Sequence, residues 1–146
     1  MIVIDASAMI EALVGRDADD ELLEALAGDV CAPHLLDVEV LSALRGLLLG
    51  GKLDEATAEE ARNNYFSLTI ARYEVSPLAD RVWALRHQLT SYDACYVALA
   101  EALDAPLDTC DAKLRHPGHT ADVRLLPHTH GPGTRCDSSL GRVVRP

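Results

Sequence analysis

The sequence has no apolar run approaching the ~20 residues that a membrane-spanning helix needs, because charges break its longest hydrophobic stretches. Met1-Ile2-Val3-Ile4 carries no basic region and no small-residue cleavage site, and Asp5 interrupts it. It does not read as a secretion signal, so the expected location is the cytoplasm, with no membrane partner. Aromatics make up only 4% of the residues, leaving Ala, Leu and Val to fill the core. Four cysteines, Cys31, Cys95, Cys110 and Cys136, include no Cys-x-x-Cys pair, which excludes the common zinc spacings. Structural disulfides are not expected in a reducing compartment, and Cys31, Cys95 and Cys110 read as small core residues. Basic residues are outnumbered 23 to 13, for a net charge of −10. That excludes the broad basic footprint of a general nucleic-acid binder, so any nucleic-acid contact would be local.

Three motif absences narrow the chemistry further. No Gly-x-Gly-x-x-Gly turn follows the first strand, which excludes a dinucleotide fold. An aspartyl-phosphate phosphatase would place a second Asp two residues after the first, where this chain has Ser7. A phosphoacceptor receiver would carry an acidic pair at the end of the first strand, where Asp5 stands alone.

What is present reads as one α/β domain over residues 1–130. A short β-branched segment at 2–5 suits a buried parallel strand. Helices follow at 7–14 and 19–27, then a strand at 30–32. Pro33 opens a long helix to Gly50, with Leu36, Val40, Leu44 and Leu47 as its apolar stripe. Asp54 caps a helix over 54–68, residues 69–75 are β-prone, and Ser76-Pro77 starts a helix running to Leu89. Ser91 caps an almost wholly apolar helix that carries Asp93. Pro106-Leu107 leads a strand, residues 111–114 form a turn of helix, and 123–126 is a last strand. This alternation predicts a mostly parallel sheet of four to five strands flanked by helices. From Gly131 the composition turns to Gly, Pro, Ser and Arg, so residues 131–146 read as a tail. Its Arg135, Arg142 and Arg145 would add weak RNA affinity or nothing.

Four acids stand where strands end and helices begin: Asp5, Glu39, Asp93 and Asp111. Ligands of parallel α/β sheets bind at the carboxyl ends of the strands, so the fold would gather these residues in one cleft. Like charges at close range repel and raise one another's pKa, and a divalent cation removes that conflict. The pattern points to metal-dependent hydrolysis of phosphodiesters. Each acid also has an ordinary reading. Asp5 can be a helix cap, with Ser7 as the competing cap; Glu39 can be solvated or paired with Arg45; Asp93 can simply complement the helix dipole. Asp37, two residues from Glu39, lies on the opposite side of the helix. Near Asp111, an extended backbone sends Asp108 and Cys110 one way and Thr109 and Asp111 the other, and only one pair can face the cleft.

Four segments carry a resemblance: Val3-Ile4-Asp5-Ala6-Ser7-Ala8; Ala32-Pro33 followed by Glu39 and Ser42-Ala43-Leu44-Arg45; Tyr92-Asp93-Ala94-Cys95-Tyr96-Val97-Ala98-Leu99-Ala100; and Thr109-Cys110-Asp111-Ala112-Lys113-Leu114. Together they resemble the PIN-domain nucleases, in particular the toxin ribonucleases of bacterial VapBC toxin–antitoxin pairs. The resemblance implies a three-layer PIN-like fold and a catalytic metal cluster of Asp5, Glu39, Asp93 and Asp111 holding Mg²⁺ or Mn²⁺. Ser7 and Thr109 match its supporting hydroxyl positions, whereas Asp108 departs from it, since an apolar residue is usual there. It also implies an RNA substrate, 5′-phosphate and 3′-hydroxyl products, and a homodimer. A cognate antitoxin would cover the apolar faces of the 19–27 and 33–50 helices. Arg45, Arg86, Lys113 and Arg115 are the candidate phosphate contacts, Arg45 first among them. His116, His119, His128 and His130 are candidate soft-metal ligands of lower rank. The competing reading is a catalytically silent PIN-like module that acts through protein contacts.

Overall fold

The computed structural model describes residues 1–129, so the tail, with Cys136 and His130, lies outside the described residues. Five strands form a single parallel sheet in the order β3-β2-β1-β4-β5: β1 (Ile2–Ile4), β2 (Val30–Pro33), β3 (Ile70–Tyr73), β4 (Leu107–Thr109) and β5 (Val123–Leu125). The first two crossovers carry α1 (Ala6–Val14), α2 (Asp20–Leu26), α3 (Leu35–Leu49) and α4 (Glu55–Ser67). The return from β3 to β4 carries α5 (Ala79–Ala84) and α6 (Ser91–Leu103). Right-handed crossovers running in opposite directions along a sheet put their helices on opposite faces. Hence α1, α3 and α4 pack on one another, while α5 and α6 pack together on the other face. Strand order reverses between β1 and β4, and such a switch point leaves a crevice at the carboxyl ends of both strands.

The core follows the expected periodicities. Val3, Ile4 and Leu107 are buried in the central strands; Leu36, Val40 and Leu44 form the inner face of α3, and Leu47 is partly buried. From Ala94 to Ala100 every residue of α6 is buried, because this helix covers the middle of the sheet. Asp37 does point away from the Glu39 side: it accepts from the Tyr65 hydroxyl at 2.6 Å and from Arg72 Nε at 2.9 Å, tying α3 to α4 and β3. Cys31 and Cys95 are buried, whereas Cys110 is only partly so.

Several boundaries differ from the sequence reading. Pro33 does not open the long helix but ends β2 in register with Tyr73, and the next amide, His34 N–H, donates to Tyr73 O at 3.0 Å. A proline without an N–H fits either place, and pairing with β3 decides it. The helix expected over 76–89 is a 3₁₀ turn (Ser76–Leu78), then α5, then a run of turns. Ser76 makes no cap there, since the capping position falls to Val75 without a side-chain bond. Thr90, not Ser91, caps α6, its Oγ1 accepting from Asp93 N–H at 3.2 Å. The outer strands β3 and β5 are shorter than 69–75 and 123–126.

Candidate active site

Asp5 leaves the end of β1 with φ −95° and ψ 173°, the extended geometry of a helix cap. Its Oδ1 accepts from Ala8 N–H at 2.9 Å, so Asp5 itself caps α1 and Ser7 does not. Ser7 Oγ donates to the same Oδ1 at 2.7 Å, and Thr109 Oγ1 donates to Oδ2 at 2.5 Å. The direction of these bonds is fixed from behind. Ser7 Oγ accepts from Cys110 N–H and Thr109 Oγ1 from Asp111 N–H, both at 2.9 Å. A hydroxyl has one proton to give, and each of these gives it to Asp5. Capping and site membership are therefore compatible in Asp5. Burial drives its pKa up, Asp111's charge adds to the rise, and the three hydrogen bonds oppose it; the result is about 6.

Glu39 lies in the second turn of α3, partly buried. One of its oxygens, Oε2, accepts a hydrogen bond from the Tyr96 hydroxyl on α6. Burial, with the charges of Asp5 and Asp93, outweighs that bond and raises its pKa to about 7. Asp93, in the first turn of α6, is raised mainly by burial and then by Asp111, while Thr90 and the Lys113 charge pull it down. Asp111 caps the 3₁₀ turn Ala112–Arg115 by accepting from Lys113 N–H at 2.9 Å. Repulsion thus links Asp5 to Asp111 and to Glu39, and Asp93 to Glu39 and to Asp111. Four carboxylates from four parts of the chain thus lie within electrostatic reach of one another. As the side chains stand, no three Asp, Glu, His or Cys groups among the described residues are close enough to hold an ion together. The donor set still fits a hard divalent cation. It is all oxygen, and its charges are the ones a cation would relieve.

Residues 2–119 match the family model described as PIN domain. This chain belongs to the PIN-domain family. Ribonuclease VapC1 of Mycobacterium tuberculosis is 43% identical over 128 residues, spanning 85% of this chain and 96% of that protein. Ribonuclease VapC12 of the same organism is 37% identical over 128 residues, spanning 86% and 99%. Among solved structures, PAE2754 from Pyrobaculum aerophilum superposes with a TM-score of 0.62 at 24% identity, covering 83% of this chain and 88% of that one. VapC20 of M. tuberculosis, described as a toxin that cleaves the sarcin–ricin loop, gives 0.58 at 17% identity, covering 85% and 99%. These two likenesses bear on the fold, which is that of a PIN domain.

Within this PIN domain the parity question after β4 is answered by pairing. Thr109 and Asp111 face the carboxylates, and Asp108 faces away. Asp108 is neither solvent-facing nor an added charge in the cluster: it is 1% exposed and accepts from Arg124 Nε at 2.6 Å, its register partner on β5. Of the candidate basic residues, Lys113 is near enough to Asp93 for its charge to be felt. Arg115 is exposed at the end of the same 3₁₀ turn. Arg45 lines a groove between α3 and α4 with Leu41, Leu48, Glu55 and Arg62. Arg86 stacks on the exposed Trp83 ring at 5.0 Å. The histidines have other company, His119 Nε2 at 2.8 Å from Leu114 O and His128 Nδ1 at 3.0 Å from Glu11 Oε2.

Two polar residues escaped the sequence reading. Tyr96 sits three residues after Asp93, and that helical spacing was the available signal. Glu11, 1% exposed on α1, also accepts from Thr129 N–H at 3.1 Å, 118 residues away, and nothing local announces that contact.

Proposed function

We propose that this PIN-domain protein is a divalent-metal-dependent endoribonuclease and the toxin of a VapBC-type pair. The observation that carries the reading is that the charges of Asp5, Glu39, Asp93 and Asp111 act on one another, each of the first three being protonated more readily than an ordinary carboxylate. Curated relatives named as ribonucleases, 37–43% identical over nearly their whole length, support it.

Asp5, Glu39, Asp93 and Asp111 would hold Mg²⁺ or Mn²⁺, which when bound supplies charge neutralisation at the scissile phosphate and activates water. Ser7 and Thr109 keep Asp5 in one orientation, since both hydroxyls are locked by backbone amides. A carboxylate of the cluster takes the proton of the attacking water. Water attacks phosphorus in line, the bond to the 3′-oxygen breaks and that oxygen takes up a proton from solvent, so the products carry a 5′-phosphate and a 3′-hydroxyl. Lys113 attracts the phosphate, offsetting the repulsion an acidic protein presents to RNA.

The antitoxin reading is supported by apolar side chains left open on α2 and α3. Leu23, Val38, Leu41 and Leu49 are all exposed, Val38 and Leu49 by about two thirds. No helix among the described residues is long and apolar enough to cross a membrane. The decisive assay is cleavage of RNA by the purified chain with Mg²⁺ or Mn²⁺, with EDTA, and as Asp5→Asn. Cleavage that survives both EDTA and the substitution would be contamination and would refute the nuclease. Co-expression with the neighbouring gene should yield a stable complex, and sedimentation of the free protein should give a dimer.

A further inference from the structure

The hydrogen bonds around the carboxylates do more than hold them still, because they decide how many oxygens each can offer. A carboxylate has about four lone-pair sites, two on each oxygen. In Asp5, Oδ1 already accepts from Ser7 Oγ and Ala8 N–H, so it is spent, and Oδ2 keeps one site beside Thr109. Asp111 has Oδ1 engaged by Lys113 N–H. Glu39 has Oε2 engaged by the Tyr96 hydroxyl. The Tyr96 ring is 2% exposed inside the core, where a phenylalanine ring would fill the same space. The hydroxyl is therefore the part that packing does not require, and it is aimed at Glu39 from another helix.

Divalent cations differ in what they ask of carboxylates. Ca²⁺ takes six to eight oxygens at roughly 2.3–2.6 Å and readily draws both oxygens of one carboxylate, whereas Mg²⁺ wants about six at roughly 2.0–2.1 Å and keeps several waters. Carboxylates with one oxygen already engaged suit the second demand. We propose that Tyr96 is a specificity-determining residue for the cation: by occupying one of the two lone-pair sites of Glu39 Oε2 it makes the other oxygen the better donor, biases the side chain toward single-oxygen ligation and favours Mg²⁺ or Mn²⁺ over Ca²⁺. This rests on the reading of the four carboxylates as a cation site.

The test is direct ion binding to the full chain, stripped with chelator and held at pH 8. Mn²⁺ and Ca²⁺ are titrated calorimetrically, and Ca²⁺ competition is followed by the electron paramagnetic resonance of free Mn²⁺. In the wild type Mn²⁺ binds more tightly than Ca²⁺. In Tyr96→Phe the ratio of the two dissociation constants should narrow by about tenfold, the usual scale for losing a partner of a ligating side chain. A general loosening of the fold would weaken both ions alike, so the ratio isolates the ligation effect. A folded Tyr96→Phe whose ratio stays within about twofold of wild type overturns the proposal while leaving the site reading intact. If wild type and Asp5→Asn take up Mn²⁺ identically, the site reading itself falls. Should Tyr96→Phe lose cooperative unfolding, Tyr96→Leu replaces it. It likewise removes the hydroxyl and leaves Glu39 in place; the same narrowing is expected, and an unchanged ratio overturns the proposal.

Discussion

Raising the pH from 5 to 7.5 in the presence of EDTA should make this protein easier to melt. Asp5 and Glu39 release their protons in the folded state only at about 6 and about 7, against 3.8 and 4.5 for ordinary side chains. Below about pH 3 both groups are protonated whether the chain is folded or not, and their contribution is the same in each state. As the pH rises, the unfolded chain gives up these protons first, so the folded state binds more of them and stability falls until both groups have ionised above about pH 7. One pKa unit is worth 1.36 kcal/mol, so each group alone would cost about 3 kcal/mol. About half of Asp5's loss has occurred by pH 5, and Asp5's charge is one of the causes of the Glu39 shift, so the joint loss across the window is roughly 3 kcal/mol. For a domain of this size that is a fall of roughly 8–12 °C in Tm. Glu101 works in the other direction: its bond to Arg81 holds it at about 2, a stabilisation present above its ordinary pKa of 4.5 and lost only in stronger acid. It leaves the pH 5–7.5 window clear. Circular dichroism melts across that window, repeated for Glu39→Gln, make the assay, and the variant should lose about half of the slope. Adding Mn²⁺ at pH 7.5 to about a hundred times its Kd should return about 2.7 kcal/mol. A wild-type Tm that is flat or rising from pH 5 to 7.5, and matched by Glu39→Gln, would refute the argument that burial and neighbouring charge hold these carboxyls protonated.

Thr109→Val removes a buried donor to Asp5 and should cost about 1–2 kcal/mol of stability. It should also weaken Mn²⁺ binding at least about tenfold, checked by melts and calorimetry. Arg124→Met strands Asp108 in the sheet without its partner; chemical denaturation at pH 7.5 should show a loss of about 1–3 kcal/mol, reduced when Asp108→Asn is added. Lys113→Ala takes a positive charge from beside Asp93 and should raise KM for RNA several-fold with a smaller change in kcat. Its salt dependence of cleavage should be shallower than that of the wild type.

The strand ends were legible in the sequence because buried parallel strands announce themselves as short β-branched runs, and Asp5 closes one of them. Asp93 was legible for a similar reason, an acid at the head of an apolar helix. Glu39 was harder to place, since helical periodicity fixes a face but not the neighbour across it, and that neighbour is Tyr96 on a helix more than fifty residues later. The choice between Asp108 and Asp111 needed the register of β4 on β5, because a period of two leaves the parity open. Pro33, Thr90 and Ser91 were ambiguous by chemistry. Proline suits a strand's end as well as a helix's start, and adjacent hydroxyl residues compete for one cap. Glu11 was invisible, its partners lying at the far end of the described chain.

The two amide-to-hydroxyl-to-carboxylate relays that fix Asp5 begin at Cys110 and Asp111, near the end of the domain. A ribosome must therefore have made most of the protein before the first aspartate acquires its final posture. Copies that terminate before Cys110 would lack both relays.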